Sequence, residues 1–289
     1  MSNFIQQSRA GRNPWYAFPL LLLGSLVVVV VLNQFVNRLI VPLVKARGWQ
    51  DAGDYLIYVM ILLVFGGLTL VLRTVQRCVH GRSLGSLVNA QPTRFRWSLY
   101  GRGVALWGAL LLISTVGMDR AAFDAFLTDF SGLPFVLTFV LAGCGLFVQT
   151  LWEELLFRGY LLQGLGRRFA SLLIVNLLIS SLFALAHFGY GLENLLHSFL
   201  FSVVVTLLTL HDRGIERAAG AHFANNFLLL LFFADVSDVA DSTFSWVVDW
   251  VEMAWYVGSL AVLIVVSQRG NRGERTSERP VVAQPVVEG

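Results

Sequence analysis

The chain is 289 residues long, 56% of them hydrophobic and only 13% charged, with a formal net charge of +3. A soluble domain usually carries about 25% charged residues, so a soluble globular fold is excluded and the composition is that of a chain dissolved largely in lipid. The positive balance comes from arginines scattered between apolar runs, Lys45 being the only lysine; no basic patch for nucleic acid is formed, and Cys78 and Cys144, one in an Arg-rich connector and one in an apolar run, make no disulfide framework.

Residues 1–16 form a polar, basic segment containing Arg9 and Arg12. The apolar run behind it is too long for the core of a signal peptide and lacks a small-residue cleavage site, so the first helix is expected to remain as an anchor. Runs able to cross a hydrocarbon core of about 30 Å are read at 17–43, 55–72, 99–117, 134–157, 169–188, 193–210, 217–233 and 245–267. They predict one all-α, polytopic transmembrane bundle of about eight helices over 17–267. The tail, 268–289, mixes Arg, Glu, Gly and Pro and ends in a Val/Pro stretch, a composition that predicts disorder.

Arg and Lys accumulate at cytoplasmic helix ends, and every second connector here is basic. Arg73, Arg77, Arg82, Arg94, Arg96 and Arg102 separate the second run from the third; Arg167 and Arg168 follow the fourth, Arg213 and Arg217 the sixth, and Arg269, Arg272, Arg275 and Arg279 the eighth. Intervening connectors hold Asp119, Asp124 and Asp129, or Asp235, Asp238 and Asp241, while the first mixes Lys45 and Arg47 with Asp51 and Asp54. Both termini are therefore expected on the cytoplasmic side. The excess of Arg over Lys points to a GC-rich bacterial genome and hence to a bacterial inner membrane.

An ionisable side chain in a spanning segment costs several kcal/mol or more unless paired or hydrated, so such residues are functional candidates by default. The fourth run contains Glu153-Glu154-Leu-Leu-Phe157-Arg158-Gly159. Glu154 and Arg158 are four apart on one helical face and suited to pair. Glu153, turned about 100° away, lacks that partner and is the candidate general base, with Glu154–Arg158 as its support. The fifth run ends with Phe183 and His187 on one face, and the seventh carries His222 and Asn226 on one face. These groups suffice for hydrolysis without a covalent nucleophile: Glu153, helped by His187, deprotonates water, while His222 and Asn226 donate to the oxyanion.

Glu-Glu-x-x-Phe-Arg-Gly at 153–159, Phe-x-x-x-His at 183–187 and His-x-x-x-Asn at 222–226, in that order on successive apolar runs, resemble the three motifs of the CPBP family of intramembrane glutamic proteases. That family includes the type II CAAX prenyl endopeptidases and the bacterial Abi and bacteriocin-immunity proteins. The likeness covers about 145–230. It implies metal-independent cleavage of a peptide bond near a C-terminus, no cofactor, a peptide or membrane-protein substrate that is prenylated in the family's best-known case, and the same four roles for Glu153, His187, His222 and Asn226.

Three other readings use the same residues. A zinc-dependent protease is disfavoured by the lack of a His-Glu-x-x-His helix; a proton-coupled transporter, by the lack of paired interrupted helices or repeat symmetry; a scaffold with a degenerate site, by chemically competent residues at every motif position. His197 is read as core packing, and His80 and His211 as solvated connector residues. Depth poses a separate problem. If Arg167 and Arg168 mark the membrane edge, Glu153 lies roughly 20 Å from it at about 1.5 Å per residue, whereas His222 is only a few residues from Arg217. Either the seventh helix starts inside the bundle, with Glu216 and Arg217 buried, or the fourth helix has other limits.

Overall fold

The computed structural model describes residues 3–48, 53–91, 94–118, 120–129, 132–188, 191–233 and 245–277. Asp119, the acidic segment 234–244 and the tail 278–289 lie outside the described residues. Long helices form along the runs of Leu, Val, Ile and Phe, with Pro42 in α1 accommodated just after a π-helical turn at Val36–Ile40, and the backbone satisfies its own hydrogen bonds, as a lipid environment requires. In chain order they are α1 (Ala17–Ala46), α2 (Gly53–Thr74, extended by a π-helical turn at Val75–Val79), α3 (Trp97–Met118) and the short α4 (Arg120–Asp129). Then follow α5 (Gly132–Glu154, continuing as a π turn, Leu155–Leu161, and an α-helix, Leu162–Arg168), α6 (Leu172–Ala186), α7 (Leu192–Asp212), α8 (Glu216–Phe233) and α9 (Trp250–Ser277).

All eight expected helices are present. Among the described residues, six segments are long and apolar enough to cross a membrane: Ala17–Ala46, Tyr55–Val79, Trp97–Gly117, Phe135–Arg168, Leu192–Asp212 and Trp250–Gln268. The protein is a multi-pass integral membrane helical bundle. The other two expected spans need correction, because α6 has only 15 residues and α8 opens on Glu216 and Arg217 and is rich in alanine rather than larger apolar residues in its first half. The last helix also runs to Ser277, ten residues past its expected end.

The α7–α8 connection resolves the problem of depth. Arg213 adopts a left-handed conformation (φ 55°) that stops α7, and Gly214 N–H donates back to the Thr209 carbonyl at 3.1 Å. The chain then pairs with the 88–90 strand-like segment, Ala90 N–H to Arg213 O (2.9 Å) and Ile215 N–H to Val88 O (2.8 Å). Glu216 is fully buried and Arg217 nearly so. The Glu216 carboxylate accepts from Arg96 Nε (2.9 Å) and Asn89 Nδ2 (2.6 Å), and Arg217 Nε lies 2.9 Å from Asp212 Oδ2. Helix α8 thus begins inside the protein on paired charges. Helix α5 also continues to Arg168, past its expected end at 157.

Helix α8 packs along α3, α5 and α7. Its approach to α3 is close enough that a Cβ at Gly220 would strike the Tyr100 carbonyl oxygen. Gly220→Val is expected to destabilise the bundle by about 1–3 kcal/mol or more, the usual effect of overpacking, and to lower the thermal midpoint of the detergent-solubilised protein.

The N-terminal segment is docked rather than loose. Residues Asn3–Gln6 form a helical turn whose Phe4 and Ile5 are fully buried, Ile5 lying against Gly166 of α5. His80, expected in solvent, is buried instead: Nδ1 donates to the Arg12 carbonyl (2.7 Å) and Nε2 lies 3.1 Å from the Tyr160 hydroxyl. Burial holds the His80 pKa below its ordinary 6.5. Because the unfolded chain binds this proton more readily, the contribution is whole above about pH 6.5 and declines as pH falls from there toward the lowered folded value. Thermal unfolding at pH 7.5 and pH 5 is expected to show a loss of stability on acidification that is smaller in His80→Phe.

Candidate active site

Helix α5 delivers Glu153 and Glu154 at the last turn of regular α-helix, immediately before the π turn. Such π insertions are frequent at functional sites because they re-aim side chains. Glycine at 159 is needed there, since a Cβ would lie 2.8 Å from the Leu87 carbonyl oxygen. Glu154 and Arg158 are both fully buried, and Arg158 Nη1 donates to Glu154 Oε1 at 2.8 Å. The pair expected from the spacing is therefore formed.

Helix α7 completes the guanidinium's surroundings. Arg158 Nη2 donates to Ser202 Oγ at 2.8 Å, Nε lies 3.4 Å from Thr206 Oγ1, and the cation sits 4.6 Å from the Phe183 ring centroid, within cation–π range. Ser202 and Thr206 were not singled out from the sequence. Their signal is modest: two small hydroxyl residues four apart, on one face of an apolar helix.

Helix α8 places His222, 2% exposed, between the two carboxylates. Nδ1 is 2.9 Å from Glu154 Oε1, and Nε2 is 3.6 Å from Glu153 Oε2. Since an ionised carboxylate can only accept, Nδ1 carries a proton, and Nε2 is turned toward Glu153. Glu153 itself is held by Gln149 one turn earlier, Nε2 donating to Oε1 at 2.8 Å. Among the described residues its Oε2 has no hydrogen-bond partner, nor does Glu154 Oε2. Buried carboxylate oxygens of this kind are where water or substrate is expected.

Phe183 joins the remaining motif to this cluster. Its ring centroid is 4.6 Å from that of His187 and 5.6 Å from that of His222. His187 Nδ1 donates to the Phe183 carbonyl at 2.8 Å, so in the neutral ring the lone pair is on Nε2. Asn226 follows His222 by one turn, and its Oδ1 accepts from Asn225 Nδ2 at 3.2 Å. Asn225 is braced by Trp107 of α3, Nε1 to Oδ1 at 3.1 Å. Glu153, Glu154, Arg158 and His222 thus form one contact cluster, with Phe183 linking it to His187.

Residues 134–228, which hold all three motifs, match the family described as type II CAAX prenyl endopeptidase, Rce1-like. The motif-bearing core, about a third of the chain, is similar to that family. An uncharacterised Bacillus subtilis (strain 168) protein, YyaK, is 36% identical over 102 residues, covering 32% of this chain and 33% of YyaK. The chain therefore matches about a third of that relative's length. No solved structure matches it. The Rce1-like segment runs from near the start of α5 to the middle of α8, which is the stretch that builds the cluster.

Removing Arg158 would leave Glu154 buried with its charge uncompensated, a defect that typically costs 3–5 kcal/mol. Arg158→Met is expected to lower stability on that scale, whereas Ser202→Ala, which removes one donor–acceptor contact and keeps the ion pair, should cost about 1–3 kcal/mol. Urea or thermal unfolding in detergent distinguishes the two.

Proposed function

We propose that this chain is an intramembrane glutamic endopeptidase that hydrolyses a peptide bond near a substrate C-terminus, with no metal in the catalytic step. The observation that carries the reading is the buried Glu153 Oε2, without a hydrogen-bond partner among the described residues and 3.6 Å from His222 Nε2. In this reading the nucleophilic water occupies the free lone pair of Glu153 Oε2 at ordinary hydrogen-bond length, about 2.8 Å.

Glu153, oriented by Gln149, takes a proton from this water. The hydroxide attacks the scissile carbonyl carbon, and the proton then passes to the departing amine nitrogen. His187 is the second group assigned to the water. His222 and Asn226 are assigned to the oxyanion, where each well-placed donor is commonly worth a few kcal/mol in the transition state. For His222 Nε2 to donate while Nδ1 stays on Glu154, the ring must carry both protons. Glu154 and Arg158 hold the ring and the helix in place and take no proton.

The family description supports a peptide substrate ending in a prenylated cysteine motif, with the bilayer retaining its lipid. Purified protein in detergent or nanodiscs is expected to release the C-terminal peptide from a prenylated substrate. Glu153→Gln should lower the rate by 10²–10⁴-fold, the usual range for loss of a general base, and a chelator should leave the wild-type rate unchanged. Full cleavage by Glu153→Gln would overturn the assignment.

A further inference from the structure

A second cluster of ligand-type side chains lies where α7 and α9 begin. Glu193 and His197 are four apart on one face of α7, and Glu252 stands on α9; one donor atom from each residue lies within 4.8 Å of the other two. Two carboxylates and an imidazole drawn from neighbouring helices form a mixed oxygen and nitrogen set of the kind that binds zinc. Glu193 and His197 are partly buried and Glu252 is exposed, so an ion can enter from the surface.

His197 distinguishes this cluster from an ordinary acidic surface. Its Nε2 is sealed from solvent and has no hydrogen-bond partner among the described residues. The ring lies against Tyr256 of α9, centroids 4.2 Å apart and planes tilted by 37°, and the Tyr256 hydroxyl donates to the His197 carbonyl at 3.4 Å. A buried imidazole nitrogen is normally satisfied, and this ring is held against Tyr256 in a cluster with two carboxylates. The Glu193 carboxylate is also anchored from behind. Glu193 Oε1 accepts from Asp249 N–H (3.1 Å), and Asp249 Oδ1 caps α9 by accepting from Val251 N–H (2.8 Å) and Glu252 N–H (3.1 Å).

We propose that Glu193, His197 and Glu252 bind one divalent cation of the zinc type, clasping the start of α7 to the start of α9. Ligands at about 2.0–2.2 Å from zinc require the three donors to close by roughly an ångström, within reach of Glu side-chain torsions. The site is separate from the Glu153 cluster. Ring contacts run from His197 through Tyr256, Trp107 and Phe201 to His222, with centroid distances of 4.2, 5.7, 5.5 and 5.6 Å.

The test uses full-length, tag-free protein in detergent, stripped with a chelator and titrated with zinc chloride by calorimetry. One equivalent is expected to bind and to raise the thermal midpoint. Glu153→Ala should retain that binding, while His197→Ala and Glu252→Gln should each weaken it at least tenfold with unchanged helical circular dichroism. No one-equivalent binding, binding unchanged in both α7/α9 variants, or binding lost in Glu153→Ala would each overturn the proposal. If a variant fails to fold, ion-induced change in Trp250 and Trp255 fluorescence in the wild type, with magnesium as the negative control, gives the same decision.

Discussion

A single carboxylate, Glu154, joins three helices. It is fully buried, receives Arg158 from its own helix and His222 from α8, and through Arg158 is tied to Ser202 on α7. An unpaired charge in such a place would be prohibitive in lipid or in a protein interior. The helices must therefore stay at the separation and rotation that keep Glu154 paired. Glu153 is a consequence of that arrangement: with the helix position fixed by its neighbour, its carboxylate is held beside the His222 ring, with one oxygen on Gln149 and the other without a partner among the described residues.

Delivering His222 to the depth of Glu154 is a second constraint, and it is met by burying charge elsewhere. Helix α8 begins inside the bundle because Glu216 is matched by Arg96 and Asn89, and Arg217 by Asp212 and the Ser267 carbonyl. The left-handed Arg213 and the contacts to residues 88–90 allow the chain to reverse without exposing backbone groups. Close contact between α3 and α8 at Gly220 then brings Trp107 within reach of Asn225. The catalytic candidates on α8 thus depend on packing against α3, which lies before the Rce1-like segment in the chain.

Much of this was legible in the residues. Glu154 and Arg158 pair as their spacing of four implies, and Phe183 and His187 share a face, because helical geometry alone relates residues one turn apart. Other partners lay beyond that reach. Ser202 and Thr206 on Arg158, and the burial of His80 by Arg12 and Tyr160, join residues tens of positions apart, and no local periodicity encodes them. The expected solvation of His80 failed for that reason: a polar, basic connector was covered by an N-terminal segment whose Phe4 and Ile5 supply a small apolar face of their own.

Composition and hydrophobic run length by themselves determined that the chain is helical and membrane-embedded, since lipid leaves the backbone no other way to satisfy its hydrogen bonds within single segments. Motif spacing determined which residues share a helical face. Only the tertiary structure decided that His222, rather than standing apart as a lower ring, lies between Glu153 and Glu154, and that α8 starts from buried charges. The relative depth and rotation of two helices are set by side-chain packing and ion pairing between them, and these are not written in either helix's own sequence.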